Sequence, residues 1–146
     1  MTEQKMESII RSFIEALVAA DVEKALSFFT DDGTWDTPEG RFTGKDELRK
    51  YLTWFTQTVA DLKVEETGIG ILAKGNEAAC EHTFTAKFRG QLAQVPVLCS
   101  WEFKGDKVQR IKSFYDRLAL AMQASRSWFV RNTVSNLAKR MEKGLR

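Results

Sequence analysis

The sequence of 146 residues contains one histidine, two cysteines and two prolines. Two cysteines do not make a disulfide scaffold, and with a single histidine they are too few for an ordinary Cys/His zinc site within one chain. The scarcity of proline, with 43% hydrophobic and 29% charged residues, argues against long disordered or collagen-like segments. We therefore expect a folded protein in a reducing, cytoplasmic environment, with no metal site.

Long hydrophobic runs are also absent. No uncharged stretch approaches the roughly 18 apolar residues that a membrane span needs. The first eight residues, MTEQKMES, carry charges before any apolar run, so we do not expect a secretory signal. Gly68 and Gly70 lack the helix start that follows a phosphate-binding loop. We expect no cofactor.

The charged residues are unevenly distributed, although the formal net charge is only +2. Residues 117–146 contain seven basic residues and one acid, Glu142, so that this segment carries +6 and the rest of the chain −4. The rest of the chain is mildly acidic, and its predicted strands contain no combination of basic and aromatic residues that would form a surface for nucleic acid. This pattern argues against nucleic-acid binding.

Apolar residues recur at helical spacing in three segments of the N-terminal part. A first helix is expected over about residues 3–19, and Asp21 is a good N-cap for a second, shorter helix. Residues 34–37 predict only a short strand, because a proline and a glycine follow. Thr43 and Asp46 resemble a capping box at the start of a third helix.

The apolar period changes to two after the third helix, which predicts strands. The predicted strands cover residues 62–73, 78–89, 92–103 and 108–116. Gly68 and Gly70 suggest a bulge or a bend in the first of them. Residues 117–143 predict one long helix, or a broken one. Helices grouped before an antiparallel meander favour an α+β fold with helices on one face of a curved sheet.

Two stretches resemble a known superfamily. FFTDDGTWDTPEGRFTGKDELRKYL, residues 28–52, resembles a signature of the nuclear-transport-factor-2-like superfamily, in the style of its SnoaL-like polyketide cyclases and ketosteroid isomerases. The end of the last strand, SFYD followed by RL, also resembles that group. The resemblance covers about residues 5–120. It implies a cone-shaped, cystatin-like α+β fold, in which a curved antiparallel sheet packs on N-terminal helices. We expect a single domain over residues 1–146, with a C-terminal helical extension over about 117–146.

The resemblance also implies an apolar pocket between the helices and the sheet. Such a pocket suits a small hydrophobic molecule, including one that bears a carbonyl group. The superfamily contains isomerases, cyclases and dehydratases as well as modules that only bind or dimerise, so the fold does not fix the function. Two alternatives stay open: cofactor-free proton transfer, and non-catalytic ligand binding or dimerisation. A homodimer through the outer sheet face or the C-terminal helix is expected.

Aromatic side chains are the candidate lining of this pocket. They are Trp35, Phe84, Phe88, Trp101, Phe103 and Phe114. The alternative is that they simply fill the core, as buried aromatic residues usually do.

Asp116 and His82 are the first two candidates for catalysis. Asp116 matches the position at which the resemblance implies an acid/base aspartate, and an apolar pocket would raise the pKa of its carboxyl group. The alternative is an N-cap for the helix that follows. His82 shares a predicted strand face with Cys80 and Phe84, where it could act as a base or orient a carbonyl. The alternative is a core histidine with one hydrogen bond.

Asp36 is the third candidate. The resemblance implies a proton-shuttling aspartate directly before the proline, but Thr37 occupies that position here. A shift of one residue turns a strand side chain to the opposite face, and the first predicted helix lacks the tyrosine that ketosteroid isomerases use. A strict ketosteroid isomerase is therefore disfavoured, and a turn-stabilising role for Asp36 is slightly favoured. Cys80 and Cys99 are expected to be buried free thiols.

The C-terminal segment has an apolar stripe surrounded by arginines and lysines. Its members are Val130, Val134, Leu137, Met141 and Leu145. A membrane surface, an acidic partner or a second subunit could each contact it. The favoured expectation is that the stripe docks on its own domain or on a second subunit, and a membrane contact is the less favoured one.

Overall fold

Helices pack on one face of a curved, unclosed sheet of six strands. The computed structural model describes residues 1–144. The helices are α1 (Glu3–Val18), α2 (Val22–Ser27), α3 (Gly44–Thr58), α4 (Arg117–Ala124) and α5 (Trp128–Met141). The strands are β1 (Phe29–Thr37), β2 (Gly40–Thr43), β3 (Val59–Lys74), β4 (Glu77–Phe88), β5 (Gln91–Lys104) and β6 (Lys107–Phe114). The predicted α+β class is confirmed.

The sheet has the strand order β2-β1-β6-β5-β4-β3. The meander from β3 to β6 is antiparallel throughout, as predicted. β1 pairs with β6 in parallel, with Trp35 opposite Ile111, a pairing outside the predicted antiparallel meander. The reason is topological: α3 carries the chain from β2 to the far edge of the sheet, and the meander then returns to β1.

The first strand starts earlier than predicted, because Phe29 already pairs with Val108 of β6. β1 ends at Thr37, directly before the proline, as predicted. Pro38 and the residue after it form a turn that reverses the chain direction. The turn leads into β2, a strand that the sequence did not predict, which pairs with β1 from Thr34 opposite Thr43 to Thr37 opposite Gly40.

The helix starts follow the sequence signals, with one difference in detail. The Asp21 carboxylate accepts the Lys24 N–H at 2.9 Å and caps α2 as predicted. Thr43 is the N-cap of α3, but its hydroxyl makes no capping bond. Glu47, rather than Asp46, accepts the Thr43 N–H at 2.7 Å. The longer glutamate side chain reaches back across the first turn to that N–H.

β3 contains the irregularity that its glycines predict. Its register with β4 shifts between Glu66 and Ile71, and both glycines within this segment have positive φ angles. The Glu81 carboxylate accepts the Ile69 N–H at 3.2 Å. A Cβ atom on Gly68 would lie 2.2 Å from that carboxylate, so a side chain there would displace it. The bulge bends β3, which contributes to the curvature of the sheet.

The core lies between the N-terminal helices and the concave sheet face. The buried stripe of α1 consists of Met6, Ile9, Ile10, Phe13 and Ala16. The Phe13 ring meets the rings of Phe29, Trp35 and Trp101 edge-on, with centroids 5.4 to 5.7 Å apart. These contacts join α1 to β1 and β5, which are far apart in the sequence.

The segment after the sheet is a broken helix rather than one long helix. α4 ends at Ala124, and Ser125 has an extended backbone with φ −88° and ψ 131°. The Ser127 hydroxyl accepts the Val130 N–H at 3.4 Å and caps α5. Serine side chains that bond to nearby backbone groups favour such interruptions.

Gln123 fixes α4 to the edge of β5. Its side-chain oxygen accepts the Gln94 N–H at 2.9 Å, and its side-chain NH₂ donates to the Gln94 carbonyl at 3.0 Å. β6 ends at Phe114, opposite Leu98, so this part of β5 has no strand neighbour on that side. The amide of Gln123 takes the place of a strand partner and holds α4 over the sheet.

The apolar stripe of α5 is not buried on its own domain, contrary to that part of the favoured expectation. No residue of α5 is buried, and Val130, Leu137 and Met141 are exposed. Only Val134, Ser135 and Ala138 are half-buried. The fifth member of the predicted stripe, Leu145, lies outside the described residues.

Candidate functional site

A cavity of about 390 Å³ lies between the helices and the concave face of the sheet. Residues of α1, α3 and α4 line one side, and residues of β1 and β3 to β6 line the other. The volume is within the range of roughly 300–1,000 Å³ that is common for small-molecule sites. The surrounding side chains are predominantly apolar, so an apolar ligand would be stabilised by leaving water.

Strand alternation explains which side chains face the cavity. Along β5, Val95, Val97, Cys99 and Trp101 are buried, and the residues that alternate with them, Pro96, Leu98 and Ser100, are exposed. Successive strand side chains point to opposite faces, so every second residue of β5 faces inward. The apolar period in the sequence therefore carries over directly into the cavity wall.

Helix α3 adds an aromatic edge to this wall. The Tyr51 and Trp54 rings stack with centroids 5.8 Å apart, and Phe55 meets Phe84 of β4 at 5.9 Å. Phe84 in turn contacts Phe88 at 6.3 Å. Trp54 is 49% exposed and marks the rim, where the cavity meets solvent. This aromatic wall complements a planar ring system.

His82 lies in the cavity wall, as predicted, and is only 8% exposed. Its Nδ1 atom is 3.6 Å from the Cys80 sulfur, and within residues 1–144 no protein group hydrogen-bonds to Nε2. Burial lowers the pKa of His82 below its ordinary value of 6.5. The imidazole is therefore neutral at physiological pH, and Nε2 is free to bond with a ligand.

Ser113 forms the second polar point of the wall. Its hydroxyl oxygen accepts a hydrogen bond from Trp35 Nε1 at 2.9 Å and lies 3.2 Å from the Cys99 sulfur. Both cysteines are free and buried, as predicted, and burial raises the pKa of Cys80 to about 12 and of Cys99 to about 11. These thiols stay protonated near neutral pH, so they are poor nucleophiles.

Glu39 and Tyr115 form a polar edge of the cavity. The Tyr115 hydroxyl donates a hydrogen bond to the Glu39 carboxylate, and Arg117 donates to the Pro38 carbonyl at 3.0 Å. Burial, together with Glu39, raises the pKa of Tyr115 above its usual range. Burial and the same carboxylate also raise the pKa of Tyr51. Both phenols therefore stay protonated and can donate hydrogen bonds.

One buried donor in the wall has no partner. Trp101 Nε1 is the only fully buried side-chain nitrogen or oxygen without a hydrogen bond among the residues that the structure describes. An unpaired buried donor costs about 1–3 kcal/mol. A ligand oxygen that reached this nitrogen would remove that cost.

Four of the six predicted aromatic residues line the cavity. They are Trp35, Phe84, Phe88 and Trp101. Phe103 is buried in the core against Trp101, with ring centroids 6.3 Å apart, and does not line the cavity. Phe114 is 56% exposed, because its neighbour Ser113 takes the inward position of β6. For these two residues the predicted pocket position is wrong.

Asp36 lies outside the cavity and on the opposite side of β1 from Trp35. Arg41 and Arg110 both donate to its carboxylate, the latter at 2.8 and 2.9 Å. The hydrogen bond from Arg41 and the nearby Arg110 hold the pKa of Asp36 below its usual value despite partial burial. The carboxylate therefore serves as an ion-pair partner that ties β1 to β2 and β6.

Replacing Asp36 with asparagine is expected to lower the free energy of unfolding by about 1–3 kcal/mol, because charge-assisted hydrogen bonds to two arginines are lost. Urea denaturation measures this change. Asp46→Asn is the matched control, since that carboxylate is almost fully exposed and should matter little. Loss of ligand binding by Asp36→Asn with unchanged stability would contradict the structural role.

Asp116 also lies outside the cavity, contrary to the position expected for an acid/base aspartate. Its side chain is exposed, and one carboxylate oxygen accepts the backbone N–H groups of Leu118 and Ala119 at 2.8 and 3.0 Å. This is the geometry of an N-cap, the alternative that the sequence left open. The aspartate begins the helix that closes the cavity.

Asp116→Ala is expected to destabilise the protein by about 1 kcal/mol, the usual effect of losing an N-cap. Asp116→Ser should restore most of that stability, because serine is also a good N-cap. Thermal unfolding of the three proteins tests this order. If Asp116→Ser were as unstable as Asp116→Ala, the carboxylate would have a role beyond capping.

Sequence reasoning missed the polar edge and the contribution of α3. Tyr51 and Phe55 share the apolar face of the third predicted helix, so their spacing was a usable signal. Glu39 lies in a turn, and its partner Tyr115 is 76 positions away. No local pattern connects two such residues, because only the pairing of β1 with β6 brings their segments together.

The described residues offer neither a metal site nor a membrane span. Within residues 1–144, no group of three His, Cys, Asp or Glu side chains is placed to hold a metal ion. In the same part of the chain, no helix is both long and apolar enough to cross a lipid bilayer.

The fold is that of a nuclear-transport-factor-2-like protein. The family model of the SnoaL-like domain matches residues 10–111. Because the match covers more than half of the chain, the protein belongs to the SnoaL-like domain family. The resemblance seen in the sequence is confirmed. No curated protein matches the chain.

Solved structures similar to this chain share its fold at low sequence identity. A hypothetical protein with a ketosteroid isomerase-like fold from Catenulispora acidiphila, in complex with trimethylamine, is 16% identical with a TM-score of 0.73, covering 80% of this chain and 91% of that one. A putative isomerase from Bacillus subtilis is 15% identical with a TM-score of 0.74, covering 85% and 95%. TerC co-crystallised with polyporic acid is 18% identical with a TM-score of 0.70, covering 80% and 95%.

Proposed function

We propose that the cavity binds a small, mainly hydrophobic molecule with a planar ring system and a carbonyl group. The observation that carries this proposal is the combination of an aromatic wall with a single neutral histidine. A ring system would pack against Tyr51, Phe84 and Phe88, and a carbonyl oxygen would accept a hydrogen bond from His82.

The charges around the cavity favour a neutral ligand. The carboxylate of Glu39 at the edge is already bonded to Tyr115, and His82 is neutral. Arg117 is the only cation among the described lining residues, and it lies at the edge, where it donates to the Pro38 carbonyl. An ionic group deeper in the cavity would lose its hydration without gaining a counter-charge there. The structurally similar TerC was co-crystallised with polyporic acid, which supports the view that this fold accepts an organic ligand.

A matched pair of variants on α4 tests the proposal. Ala121 lines the cavity and Ala119 does not, although both lie on the same helix. Ala121→Trp is expected to fill the cavity and abolish ligand binding, whereas Ala119→Trp should retain it. A thermal-shift screen with aromatic ketones, steroids and terpenoids identifies a ligand, and calorimetry then compares the variants.

The expected result is a stabilisation of about 2.7 kcal/mol at a ligand concentration 100-fold above Kd, lost only in Ala121→Trp. Equal binding by both variants would place the ligand elsewhere. If no compound stabilised the protein with the open cavity, the proposed ligand class would be wrong.

A second candidate function is proton transfer at a carbon next to the ligand carbonyl. It is favoured by the position of His82: in the tautomer whose proton is on Nδ1, beside the Cys80 sulfur, Nε2 is unprotonated and could accept a proton. The hydrogen bond from Nε2–H to the carbonyl described above belongs to the other tautomer. The proton would move from carbon to Nε2, the electron pair would pass to the carbonyl oxygen as an enolate, and the proton would then return to carbon. No cofactor is needed for this sequence.

Exchange of carbon-bound hydrogen in D₂O, followed by NMR on a ketone found in the screen, tests this second function. His82→Gln is expected to slow the exchange at least about 100-fold, with a smaller effect on affinity. Exchange no faster than in free solution would leave ligand binding as the function of the cavity, without catalysis.

A further inference from the structure

Helix α5 exposes aromatic and aliphatic side chains to an unusual extent. Trp128 is 76% exposed and Phe129 is 71% exposed, although both are large and apolar. At about 100° per residue, Val130, Leu137 and Met141 lie within about 40° of one another around the helix axis. All three are exposed, so the helix presents an uncovered apolar strip to its surroundings.

Two cations flank this strip: at about 100° per residue, Arg131 and Arg140 lie on its two sides, whereas Lys139 lies on the opposite face of the helix. Lys139 and Arg140 belong to the last turn of α5, Arg131 to its first part, and Lys143 follows it. Among residues 1–144, none of these four side chains takes part in a salt bridge. The fold therefore does not use these positive charges, and they remain available to an external anionic surface.

Charge argues against pairing of two copies through α5. Two such helices side by side would place like charges against each other, since the only acid of the segment is Glu142. An apolar strip flanked by Lys and Arg, with exposed Trp and Phe, is instead the pattern of helices that lie in the plane of a membrane interface.

We propose that α5 docks on an anionic phospholipid surface. Val130, Leu137 and Met141 would enter the boundary between headgroups and acyl chains, and Arg131 and Arg140 would contact lipid phosphates. Only three residues separate α5 from α4, whose Leu120, Ala121 and Ala124 line the cavity. The docked protein would therefore hold the α4 side of the cavity close to the lipid. This interaction goes beyond the ligand binding proposed above and does not depend on it.

Co-sedimentation of the full chain with vesicles tests the proposal. Vesicles of phosphatidylcholine alone are compared with vesicles that contain phosphatidylserine as well, at low and at high salt. Binding is expected only to the anionic vesicles and should weaken as salt screens the charges. Trp128 provides a second readout, because its fluorescence should shift to the blue on binding and the shift should be reduced in Trp128→Phe.

Two multiple variants separate the apolar contribution to vesicle binding from the electrostatic contribution. The apolar variant combines Val130→Ser, Leu137→Ser and Met141→Ser. The charge variant combines Arg131→Gln, Arg140→Gln and Lys143→Gln, and glutamine preserves the helix propensity. Removing three cations is expected to lower the affinity of the protein for anionic vesicles by roughly a hundredfold.

Controls of equal size use exposed residues elsewhere on the protein. Lys50→Gln, Lys74→Gln and Lys104→Gln together change the net charge as much as the charge variant does. Leu72→Ser, Leu92→Ser and Leu98→Ser together remove three exposed apolar side chains from the sheet. Both control proteins should bind the anionic vesicles as the parent chain does.

Three results would overturn the proposal. The first is equal binding to both kinds of vesicle at every salt concentration. The second is a loss of vesicle binding in the lysine control protein that equals the loss in the charge variant. The third is a parent chain that binds no vesicles and forms a dimer in light scattering that the apolar variant converts to a monomer. That last outcome would identify the strip as an interface between copies.

Discussion

Phe13→Ala is expected to lower the free energy of unfolding by about 3–5 kcal/mol. The ring is almost fully buried and meets four other aromatic rings edge-on, so its removal deletes both apolar burial and the aromatic contacts. A typical domain has only about 5–15 kcal/mol of stability. This single change would therefore remove a large part of it.

Urea denaturation followed by circular dichroism measures the loss. The control is Leu92→Ala, an exposed position on the sheet, which should change the free energy of unfolding by less than about 0.5 kcal/mol. A loss below about 1 kcal/mol for Phe13→Ala would mean that α1 is not packed on β1 and β5 as described. Because Phe13 also lines the cavity, the variant should enlarge the cavity and alter ligand selectivity.

The second large effect is a dependence of stability on pH that originates from His82. Burial holds the folded-state pKa below 6.5, whereas the unfolded chain binds a proton near that ordinary value. Below pH 6.5 the unfolded state therefore binds more protons than the folded state. Stability is fully present above pH 6.5 and is lost as the pH falls towards the folded-state pKa, by about 1.4 kcal/mol per pH unit.

The difference between the parent chain and His82→Leu isolates this contribution, because the carboxylates titrate equally in both. The free energies of unfolding of the two proteins should diverge between pH 7 and pH 5.5 in favour of His82→Leu. The chain has a single histidine, so its NMR titration gives the pKa without ambiguity. A titration midpoint at or above 6.5 would show that the imidazole is solvated rather than buried in the cavity wall.

The sequence predicted which side chains of a strand face inward, but it did not predict which elements pack beside that strand. The alternation along β4 and β5 placed His82, Phe84, Phe88 and Trp101 on the inner face, and all four line the cavity. The alternation along β5 does not show that the cavity ends before Phe103. That limit is set by how far the helices extend over the sheet, and no single strand contains this information.

The two aspartates show why a carboxylate near a motif is a weak predictor of a catalytic residue in the cavity. Asp36 and Asp116 both lie beside residues that line the cavity, Trp35 and Tyr115, yet each faces away from it. In an extended segment, neighbouring side chains point to opposite faces of the sheet. A residue next to one that lines the cavity is therefore expected to point away from it. Their arginine partners and backbone contacts became visible only in the fold.

The comparisons confirm the family but leave the ligand and the catalytic state as proposals. The homodimer and the cytoplasmic location also remain predictions. The structural neighbours are at most 20% identical to this chain, a level at which the fold is shared and the site residues are not thereby specified.

The sequence by itself determined the order of the helices and of all strands except β2, the inward faces of β4 and β5, and the N-caps at Asp21 and Thr43. These features depend on local periodicity and on side-chain contacts within one turn, which neighbouring residues contain. The tertiary structure decided the parallel pairing of β1 with β6, and with it the contacts of Trp35 with Ser113 and of Glu39 with Tyr115. Such contacts join residues more than 70 positions apart, and their formation depends on burial of apolar surface by the whole chain rather than on any local pattern.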